Sequence, residues 1–296
     1  MKQLQYILKR ILHMIPVLIC VTILIFGMIR LIPGSAAEIM LGDKATPEKI
    51  AILEKKMGLD KSLPEQYLLF MKQVLTLDFG DSVVYARPVL ELIQPRVAVT
   101  VSLVLVTTLF VLFISFPLGY LAGSRSGGLA DGVIKSGALV AVSLPQFWVG
   151  TLLLLLFALR MRLFPVGTWG ETVGERLHAL ILPGLTGALT TSALMIKNLR
   201  NNVIDVVGSD YVDFARSKGL KDSRIMGRHV LRNAMISTVT LLSLRVANML
   251  GGSIVIETVF SLPGLGKLLV DSIFARDYAV VQTVVLLLAL LVLTVD

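Results

Sequence analysis

Hydrophobic side chains make up 55% of the 296 residues and charged ones 16%, against about 45–50% and 25% in soluble domains. With a mean hydropathy of +0.81, this pattern excludes an ordinary soluble globule, because long apolar runs almost free of charge match a bilayer interior. The net charge of +8 does not point to nucleic acid, since the basic residues fall between the apolar runs, where they set orientation in the membrane.

The expected fold is therefore all-α and polytopic, since only helices or closed barrels satisfy every backbone group in lipid. Residues 11–32 form the first span, after a basic start with Lys2, Lys9 and Arg10. Ser35-Ala36-Ala37 is similar to a cleavage site, but the apolar stretch exceeds the roughly 7–15 residues of a secretory signal core, so the helix is expected to stay. Residues 33–96 then make an extracytoplasmic insertion. Within it Pro47–Met57 reads as a short helix capped by Thr46, with Pro47 at its first position and Gly58 closing it; residues 63–75 read as another, capped by Ser62. Five more spans fall at residues 97–122, 133–159, 177–199, 234–259 and 279–295, making six transmembrane helices. The last run stops after about 17 residues, at the short end for a span, so the expectation is a chain cut before its natural C-terminus.

Segment 197–233 holds the largest basic excess of any loop: Lys197, Arg200, Arg216, Lys218, Lys221, Arg224, Arg228 and Arg232 against Asp205, Asp210, Asp213 and Asp222. It is expected in the cytoplasm, together with both termini and the turn at Arg125. The insertion is too long for the charge rule to count, and faces outward.

Inside that loop, residues 200–233, the run from Ser209 to Gly219 reads as a short helix. Ser209 or Asp210 caps it, acids fill its first turn, Lys218 lies in its last, and Gly219 supplies a left-handed stop. Asp222 or Ser223 caps a second helix in which Arg224, Arg228 and Arg232 share a face, placed to meet lipid phosphates. A bare connector needs neither two capped helices nor the apolar surface of Tyr211, Phe214, Ala215 and Leu220, which implies a soluble partner.

Asp213-Phe214-Ala215, Gly219 and His229-Val230-Leu231-Arg232 are similar to the cytoplasmic loop signature of binding-protein-dependent permeases of ATP-binding-cassette importers. Phe214, His229 and Arg232 depart from the general form. Ala215-Arg216-Ser217-Lys218-Gly219 and His229-Val230-Leu231-Arg232-Asn233-Ala234 resemble its dipeptide, oligopeptide and nickel branch. So do Met57-Gly58-Leu59-Asp60, Gln66-Tyr67, Asp78-Phe79-Gly80-Asp81-Ser82, Glu257-Thr258-Val259-Phe260, Pro263-Gly264-Leu265-Gly266 and Arg276-Asp277-Tyr278. Gly34-Ser35-Ala36 and Ala279 depart from the branch.

The resemblance implies a single permease domain of the type I importer kind over residues 1–296, in a bacterial inner membrane. Asp210, Tyr211, Asp213, Phe214, Ala215, Arg216, Ser217, Lys218, Gly219 and Leu220 would form the element coupled to an ATPase. The partners implied are a second homologous permease, two ATPase subunits that bind the ATP and magnesium, and an extracytoplasmic binding protein. Cargo would be dipeptides or oligopeptides, with nickel or a metal chelate as the alternative.

No cofactor or catalytic residue is expected in this chain. Gly264-Leu265-Gly266-Lys267-Leu268 is similar to a phosphate loop but lacks its first glycine and its final Ser or Thr. Cys20 alone makes neither a disulfide nor a zinc cluster, and His13, His178 and His229 lack metal-ligand spacing. An intramembrane hydrolase would need a nucleophile elbow, a zinc motif or paired aspartates, and none is present. A secondary transporter acting alone leaves the cytoplasmic loop without a task.

Proline and glycine interrupt the spans at Pro117 and Gly119, Pro145 and Gly150, Pro183 and Gly187, and Gly251-Gly252, which packing or helix motion would explain. Arg245 lies near the middle of the fifth span with Asn248 close by, and an arginine there costs roughly 2.5–3.5 kcal/mol. Either the two line a translocation path that favours anionic parts of the cargo, or Arg245 is held in a salt bridge or subunit contact. Arg30 and Glu257, near outer ends of spans, are expected to reach the interface.

Overall fold

The computed structural model describes residues 2–30, 41, 45–57 and 60–295. Every named element among them is a helix, as expected where apolar segments must satisfy their own backbone. The chain divides into two compact units, Met1–Val97 with Leu268–Thr294, and Ala98–Lys267 with Val295–Asp296.

Helix α1 spans Lys2–Arg30 and contains Pro16. Helices α2, Pro47–Met57, and α3, Leu63–Thr76, lie in the insertion. Gly58 and the 34–36 motif fall outside the described residues. At the start of α3 the backbone and hydroxyl of Ser62 both donate to Glu65 Oε2, at 3.1 and 2.9 Å, the reciprocal half of a capping box. α3 leans on α1 through the Tyr67 hydroxyl, 2.9 Å from Thr22 Oγ1, and through edge contact of the Tyr67 and Phe26 rings. The Gln66-Tyr67 motif thus serves to dock α3 on the first apolar helix.

Helix α4, Val89–Ser124, is far longer than its expected span, and the expected third span is bent. α5, Leu129–Ser143, and α6, Gln146–Leu153, continued as a π-helix over Leu154–Arg160, meet at an angle of 100°. Leu144 is extended at the break, the conformation that Pro145 imposes on the residue before it. α7, Val173–Val207, opens on Thr172, whose hydroxyl accepts from the Glu175 N–H. It is the most enclosed of the long helices, 67% buried over its apolar window against 33% for α4, so it forms the centre of its unit. Leu103, Leu180, Leu182, Ile256 and Phe260 pack there as one core.

Beyond α7 come α8, Asp210–Ser217, and α9, Asp222–Val259, which carries a π-helical stretch at Ile225–Val230. α10, Leu265–Phe274, and α11, Tyr278–Val295, complete the chain. Among the described residues four helices, α4, α7, α9 and α11, are long and apolar enough to cross a membrane, with a fifth if the bent pair is one span. α1 contributes a shorter apolar stretch, Leu12–Met28. The loop expected in the cytoplasm is correspondingly shorter than residues 200–233, because α7 continues to Val207 and α9 begins at Asp222, leaving residues 208–221 between them.

Candidate functional site

The loop helix α8 starts after Ser209, whose backbone is extended although its hydroxyl donates to the Val206 carbonyl instead of capping. It ends where Gly219 takes φ +77°, a left-handed conformation that a side chain disfavours. There the Gly219 N–H donates to the Arg216 carbonyl and the Leu220 N–H to that of Ala215. The following helix is capped at Lys221, before either of the expected caps, Asp222 and Ser223.

One face of α8 is sealed. Val212 is fully buried and Ala215 nearly so, packed with Leu199, Val203, Ile225 and Val230. Leu220 joins the rim of that core. Ala215 and Leu220 are two of the apolar residues expected to need a partner. Instead they fasten α8 to its own chain, because Ala215, three positions from Val212, shares its helix face and the glycine turn folds Leu220 back onto the same side.

The outward face keeps Tyr211, 43% exposed, and Phe214, 61% exposed. Lys218 Nζ stands 4.4 Å from the Phe214 ring centre, and Asn233 donates to the Tyr211 hydroxyl at 2.8 Å. Arg216 is 3.2 Å from Asp213 and 3.6 Å from Asp222, which bridges both ends of the turn. Asp210, Ser217 and Lys218 are exposed. The helix is therefore a short, fixed platform presenting two aromatic rings among mixed charges.

Arg224, Arg228 and Arg232 are exposed, but Arg200 is not a free basic residue. Its guanidinium grips Asp131 at the start of α5, Nε to Oδ1 at 2.5 Å and Nη2 to Oδ2 at 2.7 Å, while the Gly127 N–H donates to the same carboxylate. Nearby, the Asn202 amide donates to Ser237 at 2.6 Å and the Thr238 hydroxyl to Asn198 at 3.2 Å, tying α7 to α9. Polar residues inside apolar helices were the available sequence signal for this network.

A second feature is a cleft of about 120 Å³ within the larger unit, lined by Arg245 and Asn248 together with Thr107, Gln146, Thr190 and Ser253. Arg245 Nε is buried and has no hydrogen-bond partner among the described residues. The ion pairs seen among those residues involve Arg200 and Arg216, so among the described residues Arg245 has no salt bridge. Thr107 and Gln146 are far from Arg245 in sequence and were not singled out.

Glu257 does not reach the interface. It is fully buried, and its Oε1 accepts from the Thr100 hydroxyl at 2.7 Å while Oε2 accepts from the Lys267 N–H at 3.0 Å. Thr100 in turn accepts from the Leu265 N–H. A Cβ at Gly264 would overlap the Glu257 carboxyl group. The carboxylate is thus the hub around which Pro263-Gly264-Leu265-Gly266 folds, and interface-seeking loses because the Thr100 hydroxyl and the Lys267 and Leu265 N–H groups are satisfied inward. The Arg30 side chain lies outside the described residues.

Several apolar helices of spanning length, a bent span and a braced loop helix define a multi-pass membrane protein. Residues 115–296 match the family described as binding-protein-dependent transport system inner membrane component. Residues 3–104 match the N-terminal family of the same membrane components. The chain belongs to this family of transport permeases. It is 36% identical to the oligopeptide transport system permease protein AppB of Bacillus subtilis, over 97% of this chain and 93% of that one. It is 38% identical to the glutathione transport system permease protein GsiC of Salmonella choleraesuis, over 97% and 92%. To the dipeptide transport system permease protein DppB of Escherichia coli it is 35% identical, over 99% and 94%.

Proposed function

We propose that this chain is the permease subunit of an ATP-binding-cassette importer for dipeptides and oligopeptides, forming half of the translocation pathway. Relatives named for oligopeptides, glutathione and dipeptides favour a peptide cargo over the nickel or metal chelate that the sequence left open. The whole chain acts as one permease domain with six crossings, α1 and the bent pair each counting as one, and with its N-terminus in the cytoplasm. A second permease of the same kind supplies the other half of the path, two ATPase subunits bind the nucleotide and magnesium, and an extracytoplasmic binding protein delivers the cargo. Arg245 and Asn248 line the path.

The observation that carries the coupling role is the two-faced character of α8. Val212 and Ala215 root it in the core formed by α7 and the start of α9, while Tyr211 and Phe214 stay open to a partner. Such a helix can hand a displacement of a docked subunit to two long membrane helices, because its root is packed and not tethered by a flexible loop.

The test is reconstitution in proteoliposomes with the second permease, the ATPase subunits and the binding protein, with a crosslinkable cysteine at Phe214. ATP-dependent peptide uptake and a crosslink to the ATPase are expected. Uptake that persists without the ATPase, or a loop helix that crosslinks to nothing in an active complex, would reject the reading.

A further inference from the structure

Within the larger unit, the bend between α5 and α6 brings the start of a helix against the middle of α9. α6 opens at Gln146 without a side-chain cap on its first turn, and a Cβ on Gly252 of α9 would meet Gln146 Oε1 at 3.9 Å, so the Gln146 amide stands over the cleft. Arg245 lines the same space with its Nε unpartnered.

The wall contributed by α4 holds Thr107, a residue lining the cleft and 2% exposed, whose buried hydroxyl has no partner among the described residues. Thr190 of α7 presents a further unpartnered hydroxyl. No aspartate or glutamate is among the lining residues. A cation, two free hydroxyls and a helix N-terminus therefore converge on one space with no internal counter-charge, although a cation in the interior of a membrane protein is normally paired.

We infer that this cleft is a binding site for a single carboxylate, held by Arg245, Thr107 and Thr190 beneath the start of α6, and that it receives the C-terminal carboxylate of a peptide in transit. The inference rests on the importer reading above. Size suits the ligand: a cavity of about 150 Å³ accepts a benzene-sized group, so the cleft of about 120 Å³ has room for one peptide terminus. Recognition is then of the feature that all peptides share, independent of side-chain sequence. Arginine suits this task because its planar fork binds carboxylate in a bidentate manner, where lysine offers a point charge.

The experiment uses the assembled transporter in lipid nanodiscs without the binding protein. A library of short peptides with free C-termini and the same library C-amidated are offered, and retained peptides are quantified by mass spectrometry. The wild type is expected to retain free-carboxylate peptides about tenfold better than their amides. Arg245→Gln should abolish the preference, Arg245→Lys should restore part of it, and Thr107→Val should weaken it severalfold. In the double variant Arg245→Gln, Thr107→Val the second change should add nothing.

A wild type without preference, or an Arg245→Gln transporter that keeps it, would overturn the inference. So would failure of Arg245→Gln to assemble with the second permease while Thr107→Val leaves the preference intact, because Arg245 would then be pairing with a neighbouring subunit. These outcomes leave ATP-dependent uptake by the wild type untouched, so they are distinct from failure of the importer reading.

Discussion

The Ser82 hydroxyl donates to Asp277 Oδ2 at 2.5 Å, joining two residues 195 positions apart and both buried. The same carboxylate accepts from the Val84 N–H, and its Oδ1 accepts from the Val280 N–H in the first turn of α11. The loop before α4 and the cap of the last helix therefore share one acceptor. Replacing Asp277 with alanine strips all three donors, at about 1–3 kcal/mol for the buried hydroxyl alone, plus about 1 kcal/mol for the cap. Thermal unfolding in detergent should show a clear loss for Asp277→Ala, and a smaller one for Ser82→Ala. Equal stability of Asp277→Ala and wild type would refute this.

Glu257→Ala should release the turn at residues 263–267. The Thr100 hydroxyl and the Lys267 N–H lose their acceptor, at roughly 1–3 kcal/mol each. Hydrogen exchange at Leu265 and Lys267 should accelerate in the variant while exchange in α7 stays slow. Unchanged protection at those amides would show that the carboxylate does not hold the turn.

The Asp131–Arg200 pair closes the start of α5 onto the end of α7. Asp131→Asn leaves a partly buried guanidinium without its counter-charge, the costly half of breaking such a pair. The thermal midpoint is expected to fall by several degrees. The double variant Asp131→Asn, Arg200→Gln should fall by less than the sum of the two single changes. Strict additivity would argue against a direct pair.

On α8 the two faces should respond in opposite ways. Val212→Ala, at a fully buried position, should cost about 2 kcal/mol in stability. Phe214→Ala, at a position 61% exposed, should leave the thermal midpoint unchanged yet reduce ATPase binding and uptake at least tenfold, as expected for an aromatic anchor. If Phe214→Ala proves fully active, the outward face is not the docking face.

At α3 the Ser62 hydroxyl and then its backbone N–H hold the Glu65 carboxyl below its ordinary value. A depressed folded value means that this contribution is complete above the usual glutamate range and is lost as pH falls through the lowered value. Amide exchange in the first turn of α3 should therefore quicken at acid pH, and Glu65→Gln should remove that dependence. An identical pH response in the variant would place the sensitivity elsewhere.

What could be read from the chain alone was whatever depends on local periodicity and on the solvent. Apolar runs located the membrane helices, and Gly219 marked the end of α8, because a left-handed stop is a property of one residue. Family membership was legible for the same reason, since the motifs are contiguous strings. Boundaries were less so: α4 and α7 extend well past their apolar centres because polar turns continue a helix at no cost once it has left the lipid.

The tertiary structure alone decided where the polar residues point. From its position Glu257 looked like a residue seeking the interface, and Ala215 like one seeking a partner. Each turned inward because distant groups, the Thr100 hydroxyl for one and Val203 for the other, met it in space. Thr107, Gln146 and Arg245 likewise share a cleft through the bend at Pro145 and the packing of α4, α7 and α9. Such convergence is set by helix packing across long sequence separations, and no local pattern encodes it.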